Sequence, residues 1–128
     1  NYFKKENYLI PQGEIYALKF LSSLTKGKVL IYDNECLQCE YHTKYKLPAF
    51  ANLKSYVQKY SKHAIVYNSS VFKAKTREEA KKEFNKLKVK YIYLVKFEGY
   101  SEKLPFSPGD LGVEKIFSNA NAEVWRVK

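Results

Sequence analysis

The run from Val89 to Phe97, Val-Lys-Tyr-Ile-Tyr-Leu-Val-Lys-Phe, is the longest apolar strand signal in the chain, and a helix start stands shortly before it. β-branched and aromatic residues dominate the run, as they do in strands buried on a pleated surface. Thr76-Arg77-Glu78-Glu79 is a capping box. The Thr76 hydroxyl can accept from the Glu79 amide, and the Glu79 carboxylate can reach back to the Thr76 amide. Ala80, Phe84 and Leu87 then follow at helical spacing. A helix of about a dozen residues feeding a buried strand is the unit of a parallel sheet, because parallel neighbours need a crossover connection. Val89–Phe97 therefore reads as the central strand.

The same alternation recurs along the chain. After a polar and aromatic lead from Asn1 to Gln12, Ile15, Leu18, Leu21 and Leu24 recur every three residues between Gly13 and Gly27. They mark one face of an amphipathic helix, with Gly27 as its stop. Lys28 to Asp33 is the first strand, with the Val-Leu-Ile-Tyr run of a segment buried on both faces. A long connection from Asn34 to Phe50 carries Pro48 and both cysteines; Leu53, Tyr56, Val57 and Tyr60 then support a second helix, and Ala64 to Tyr67 the second strand. A loop with Gly99, Pro105, Pro108 and Gly109 leads to a short helical stretch from Leu111 to Phe117, and Ala122 to Val127 is the closing strand. The expected fold is one α/β domain over residues 1–128. It has three layers, α/β/α, around a mostly parallel sheet of about four strands with right-handed crossovers. The last connection is short enough for the final strand to run antiparallel.

Composition narrows the function classes. A chain of 128 residues can bury roughly two-thirds of its unfolded surface, so its core needs neither disulfides nor metal. No uncharged stretch approaches the roughly 20 apolar residues that cross a bilayer, and no signal-peptide pattern opens the chain. The first residue is Asn1 and methionine is absent, so the chain reads as a fragment of a longer protein. The net charge of +10 raises a polyanion partner. The lysines are nevertheless spread along the sequence, and Arg77 and Arg126 are the only arginines. Base readout is chiefly arginine work, so nucleic acid is disfavoured and the charge reads as a solvated surface.

The cysteines are the sharpest candidates for chemistry. Cys36-Leu37-Gln38-Cys39 lies just past the first strand, where a first thiolate could attack and a second resolve the mixed disulfide. The segment resembles the D-G-x-C-x-x-C opening of thioredoxin-like oxidoreductases, with Asp33, Cys36 and Cys39 matching and Asn34 in place of the glycine. Such an enzyme needs a helix at the motif and a proline facing it from a later strand. Glu40 to Tyr45 is a poor helix former, and no proline precedes the second or third strand. A local Cys36-Cys39 disulfide bracing the loop is the alternative that the sequence favours. Cys36, Cys39 and His42, with Glu35 or Glu40, could also approach a zinc set, although structural sites usually close with four clear ligands. His63 reads as an ordinary residue at the entrance to the second strand.

The remaining features carry less. Asp33 sits at the carboxyl end of a strand, where open α/β sheets bind ligands, but capping its loop explains it equally. Asp110 is the other aspartate. The glycines stand apart at positions 13, 27, 99, 109 and 112, which makes no phosphate loop, and no serine has a nucleophile-elbow context. No residue pattern calls for a cofactor. Asn68-Ser69-Ser70 is a glycosylation acceptor if the domain faces the cell exterior. The twelve tyrosines fall mostly in or beside predicted strands, where packing accounts for them.

A longer resemblance rests on the order of elements. The Leu18-Lys19-Phe20-Leu21 helix, the Val29 to Tyr32 strand and the Thr76-led helix precede Leu87-Lys88-Val89-Lys90-Tyr91-Ile92-Tyr93-Leu94-Val95. Leu111-Gly112-Val113-Glu114-Lys115-Ile116-Phe117-Ser118-Asn119 and Ala122-Glu123-Val124-Trp125-Arg126-Val127 close the chain. Over Gly13 to Lys128 this resembles the soluble C-terminal domain of prokaryotic, archaeal-like, polytopic membrane glycosyltransferases that use lipid-linked sugar. The resemblance implies a non-catalytic extracytoplasmic accessory domain, partnered by the transmembrane part of its parent and positioning an acceptor or an anionic lipid phosphate. It also implies that the catalytic carboxylate lies near the first membrane helices, outside this chain, so no catalytic residue is carried over. An oxidising exterior would suit both the Cys36-Cys39 disulfide and the Asn68 acceptor. The loop from Asn34 to Phe50 has no counterpart in the family pattern.

Overall fold

Alternation with both faces apolar is what the central strands show. The computed structural model describes residues 2–5, 8–32, 57–66, 69–95 and 106–128. In chain order they form β1 (Tyr2–Lys5), β2 (Tyr8–Pro11), α1 (Gln12–Ser22), β3 (Val29–Tyr32), a helical segment over residues 57–61, β4 (Ile65–Val66), α2 (Ser69–Phe72), α3 (Arg77–Lys86), β5 (Tyr91–Val95), a 3-10 turn (Pro108–Leu111), β6 (Val113–Ser118) and β7 (Ala122–Val127). β1 and β2 pair as an antiparallel ribbon, from Tyr2 opposite Pro11 to Lys5 opposite Tyr8. This ribbon occupies the polar and aromatic lead, to which the sequence assigns no element.

The main sheet has the order β4-β3-β5-β7-β6. β3 pairs in parallel with β4 and with β5, whereas β7 runs antiparallel to both β5 and β6. Four of the five strands therefore point the same way, the reversed one being the closing strand. The expected α/β class and the central place of the Val89–Phe97 run hold, and the sheet has five strands where about four were expected.

Side-chain alternation divides the core into two layers. Val29 and Ile31 on β3, Tyr91 and Tyr93 on β5, and Ala122 and Val124 on β7 pack with Ile15, Ala17, Leu18 and Leu21 of α1 and with Val57. On the opposite face Leu30, Ile92, Leu94 and Val113 meet Val71, Ala80, Phe84 and Leu111. Helices thus cover both faces, and no β5 residue from Tyr91 to Leu94 exceeds 5% exposure.

The extra strand is β6, where a short helix was expected. Lys115 pairs with Trp125 and Phe117 with Val124, so Ile116 is an inserted residue, a β-bulge. The bulge moves the apolar side chains from one face to the other: Val113 packs in the second layer, Ile116 and Phe117 against the first. That switch erases the period-2 pattern and leaves apolar spacings that read as a helix. Two other boundaries differ in detail. α1 ends at Ser22, five residues before Gly27, with the Ser22 and Ser23 hydroxyls donating to the carbonyls of Lys19 and Phe20. The Thr76 hydroxyl accepts from the Glu79 amide at 3.1 Å as expected, but the Glu79 carboxylate accepts from the Lys75 amide, not from that of Thr76.

Candidate functional site

Most of the cysteine-centred chemistry expected from the sequence falls outside the described residues. Cys36, Cys39, His42, Glu35, Glu40, Asp33 and the Asn68 acceptor all lie there. Among the described residues no group of His, Cys, Asp and Glu side chains could hold a metal, and no helix is long and apolar enough to cross a membrane. Asp110 serves its own turn. Its carboxylate accepts from the Ser107 amide at 3.1 Å and closes the 3-10 turn, 3.8 Å from the Arg77 guanidinium.

At the end of the sheet where β3 and β5 finish, α1 presents Glu14, which is buried and accepts a 2.9 Å hydrogen bond from the Tyr93 hydroxyl. Asn119 braces the β6–β7 turn by accepting from the amides of Asn121 and Ala122 and donating to the Gly13 carbonyl at 2.8 Å. These contacts fix the entry of α1 against the sheet.

The opposite end, where the parallel strands begin, gathers charge. Parallel pairing sets the starts of β4, β3 and β5 side by side, with Val29 opposite both Ile65 and Tyr91. Backbone bonds from Val29 N–H to Ala64 O, Lys90 N–H to Lys28 O and Val127 N–H to Lys90 O continue that edge through the incoming loops to β7. On this edge Lys26, Lys28, Lys62, Lys88 and Lys90 are all exposed, and Lys128 follows β7. Arg126 is matched by Glu114 at 3.0 Å. Strands stand roughly 4.8 Å apart, so the row spans about 15 Å. The lysines are scattered in sequence because they enter the edge from three connections, Lys26 and Lys28 ahead of β3, Lys62 ahead of β4 and Lys88 and Lys90 ahead of β5; topology brings them to one edge.

The edge is built, not merely charged. His63 is 3% exposed; its Nδ1 accepts from the Gly27 amide at 3.3 Å, which leaves Nε2–H to donate to the Leu21 carbonyl at 2.8 Å. One imidazole thus ties the end of α1 to the approaches of β3 and β4. The Tyr91 hydroxyl donates to the Thr25 carbonyl at 2.7 Å, and the Lys90 ammonium donates to the Thr25 hydroxyl at 2.8 Å. The Lys26 ammonium donates to the Lys62 carbonyl at 3.2 Å. Gly27 is needed for close approach, since a Cβ there would stand 2.7 Å from the Lys90 Cβ.

Two backbone positions stand out. Lys62 and Lys88 have φ of 65° and 57°, and they are the only non-glycine residues with positive φ among those described. Lys62 directly follows the 57–61 helical segment and Lys88 follows Leu87, the C-cap of α3, at helix ends where glycine is the usual left-handed residue because it alone enters that region without a Cβ penalty. Lys62 N–H bonds the Gln58 carbonyl at 3.0 Å, the bond of such a helix stop. Beside Lys88 lies a cleft of about 200 Å3 lined by Phe84, Asn85, Lys88, Val89 and Val127, mostly apolar. At the β4 end of the row, Tyr60 is 42% exposed, with the Lys59 ammonium 5.6 Å from its ring centroid.

No family model and no curated protein matches the sequence. Among solved structures, the chain is similar to the C-terminal globular domain of an oligosaccharyltransferase from Archaeoglobus fulgidus, with a TM-score of 0.56 and 14% sequence identity. The match covers 98% of this chain and 99% of that one. At that identity the likeness is one of fold, and it extends over essentially the whole of both chains.

Proposed function

We propose that the chain is a non-catalytic accessory domain of a membrane-embedded, glycosyltransferase-like protein, exposed on the extracytoplasmic face. The observation that carries this reading is the length of the structural match. A domain of the same fold, end to end, forms the C-terminal globular part of an oligosaccharyltransferase. The order of elements read from the sequence points to the same class of domain. What the described residues build is a set of contacts that brace the ends of the sheet, and the part assigned to the domain in this reading is contact and positioning.

Its proposed partner is the transmembrane portion of the same polypeptide, and the catalytic groups belong to that portion. The test is to read the parent reading frame upstream of Asn1 and to fractionate cells expressing it. About a dozen hydrophobic spans of roughly 20 residues each, with the domain cleaved by protease added outside intact cells, is the expected result. A frame that encodes this domain without membrane spans overturns the reading.

A further inference from the structure

We propose that the edge of the sheet where the parallel strands begin is a docking surface for the anionic headgroups of a phospholipid bilayer, read by Lys26, Lys28, Lys62, Lys88 and Lys90. Their exposure and adjacency follow from the register of β3, β4 and β5 and the loops that feed them. The strongest indication is the backbone. Two helices return to this edge, and both stop in a left-handed residue that is a lysine instead of glycine, Lys62 and Lys88. The fold would be served better by glycine at both places, and what lysine adds there is a cation on the edge. Attraction of a basic residue to a helix C-terminus accounts for only part of this, because Lys59 and Lys86 already stand in those last turns.

The chemistry favours a lipid surface over a nucleic acid. The cations are lysines, compact charges that suit headgroup phosphates, while both arginines of the chain are engaged by Asp110 and Glu114. The row also borders apolar surface: the cleft of Phe84, Val89 and Val127 at one end and exposed Tyr60 at the other. Lysines beside apolar and tyrosine surface are what an interfacial contact presents to the headgroup boundary. The inference deepens the accessory-domain reading by naming a face of contact, and it stands on geometry that does not depend on that reading.

The experiment is co-sedimentation of the 128-residue chain with vesicles of phosphatidylcholine alone and of phosphatidylcholine with phosphatidylglycerol, at low and at physiological salt. Binding is expected only to the anionic vesicles, weakening as salt rises. The double variant Lys62→Gly/Lys88→Gly is expected to lose roughly tenfold or more in partitioning, since each juxtamembrane lysine contributes strongly to such binding. It should do so while its melting temperature stays level or rises, which separates lost contact from lost fold. Lys81→Gln/Lys82→Gln, with the same charge removed from the exposed face of α3, is the control and should bind within about twofold of the parent chain. Equal loss in both variants means net charge alone, and it overturns the proposal. So does equal binding to neutral vesicles, or tighter binding to a single-stranded oligonucleotide than to anionic vesicles. A reading frame without membrane spans would sink the accessory-domain reading and leave this surface standing; failed vesicle binding would do the reverse.

Discussion

His63 shows how much a single buried polar residue can organise. Its ring satisfies the Leu21 carbonyl and the Gly27 amide, two backbone groups that would otherwise be hidden without a partner. His63→Leu keeps the bulk and removes both bonds, so a loss of about 1–3 kcal/mol in urea unfolding is expected, set by desolvation of the orphaned groups more than by the bonds themselves. A change below a few tenths would mean that water replaces the imidazole. The sequence marks His63 only as a residue ahead of a strand, because its partners lie 36 and 42 residues away. Lys88 argues in the other direction. A left-handed L-residue costs roughly 1–2 kcal/mol against glycine, while the added freedom of glycine in the unfolded chain returns about 0.5–1 kcal/mol of that, so Lys88→Gly should stabilise by about 0.5–1 kcal/mol. Equilibrium denaturation of the single variant reads this directly; destabilisation would show that the Lys88 side chain supports the fold.

Elements whose patterns are local are legible in the amino-acid sequence alone. α3 follows from Thr76 and Glu79, β5 from the Tyr-Ile-Tyr-Leu run, and β7 from the stretch that it occupies residue for residue. Each draws its signal from neighbours within a few positions. β6 does not, because the inserted Ile116 transfers the strand's apolar face to the other core layer halfway along. The charged edge is hidden for a related reason: its five lysines arrive on three connections far apart in sequence, and strand register brings those connections together. The N-cap gives the element-scale prediction. Thr76→Ala removes the acceptor for the Glu79 amide, and the loss should be about 1 kcal/mol, within the range of roughly 0.5–2 found for such caps. Thr76→Ser should restore most of it, since the hydroxyl is what accepts. Thermal melts followed by circular dichroism separate the pair, and equal melting of the Ala and Ser variants would mean that the cap bond contributes nothing.

At the scale of the whole molecule, the two core layers share their strands. Tyr91 and Tyr93 face one layer and Ile92 and Leu94 the other, on the same five-residue strand. Both layers draw on β5, which pairs with β3 and β7, and the buried residues of α1 pack against the first of them. The two faces should therefore unfold as one cooperative unit, as small domains with a common sheet do. Trp125, the single tryptophan, packs against the second layer, across the sheet from α1, and so reports on a face that α1 does not touch. Leu18 lies fully buried in the first layer. Leu18→Ala should cost about 2–5 kcal/mol, the range for opening a cavity in a packed core. If the layers are coupled through β5, the Trp125 fluorescence midpoint must shift in urea by as much as the helical signal in circular dichroism, although the mutation lies on the opposite face. A variant whose helical signal falls early while Trp125 keeps its parental midpoint would show that the layers unfold separately, and the sheet would then be a seam between two units and not a shared spine.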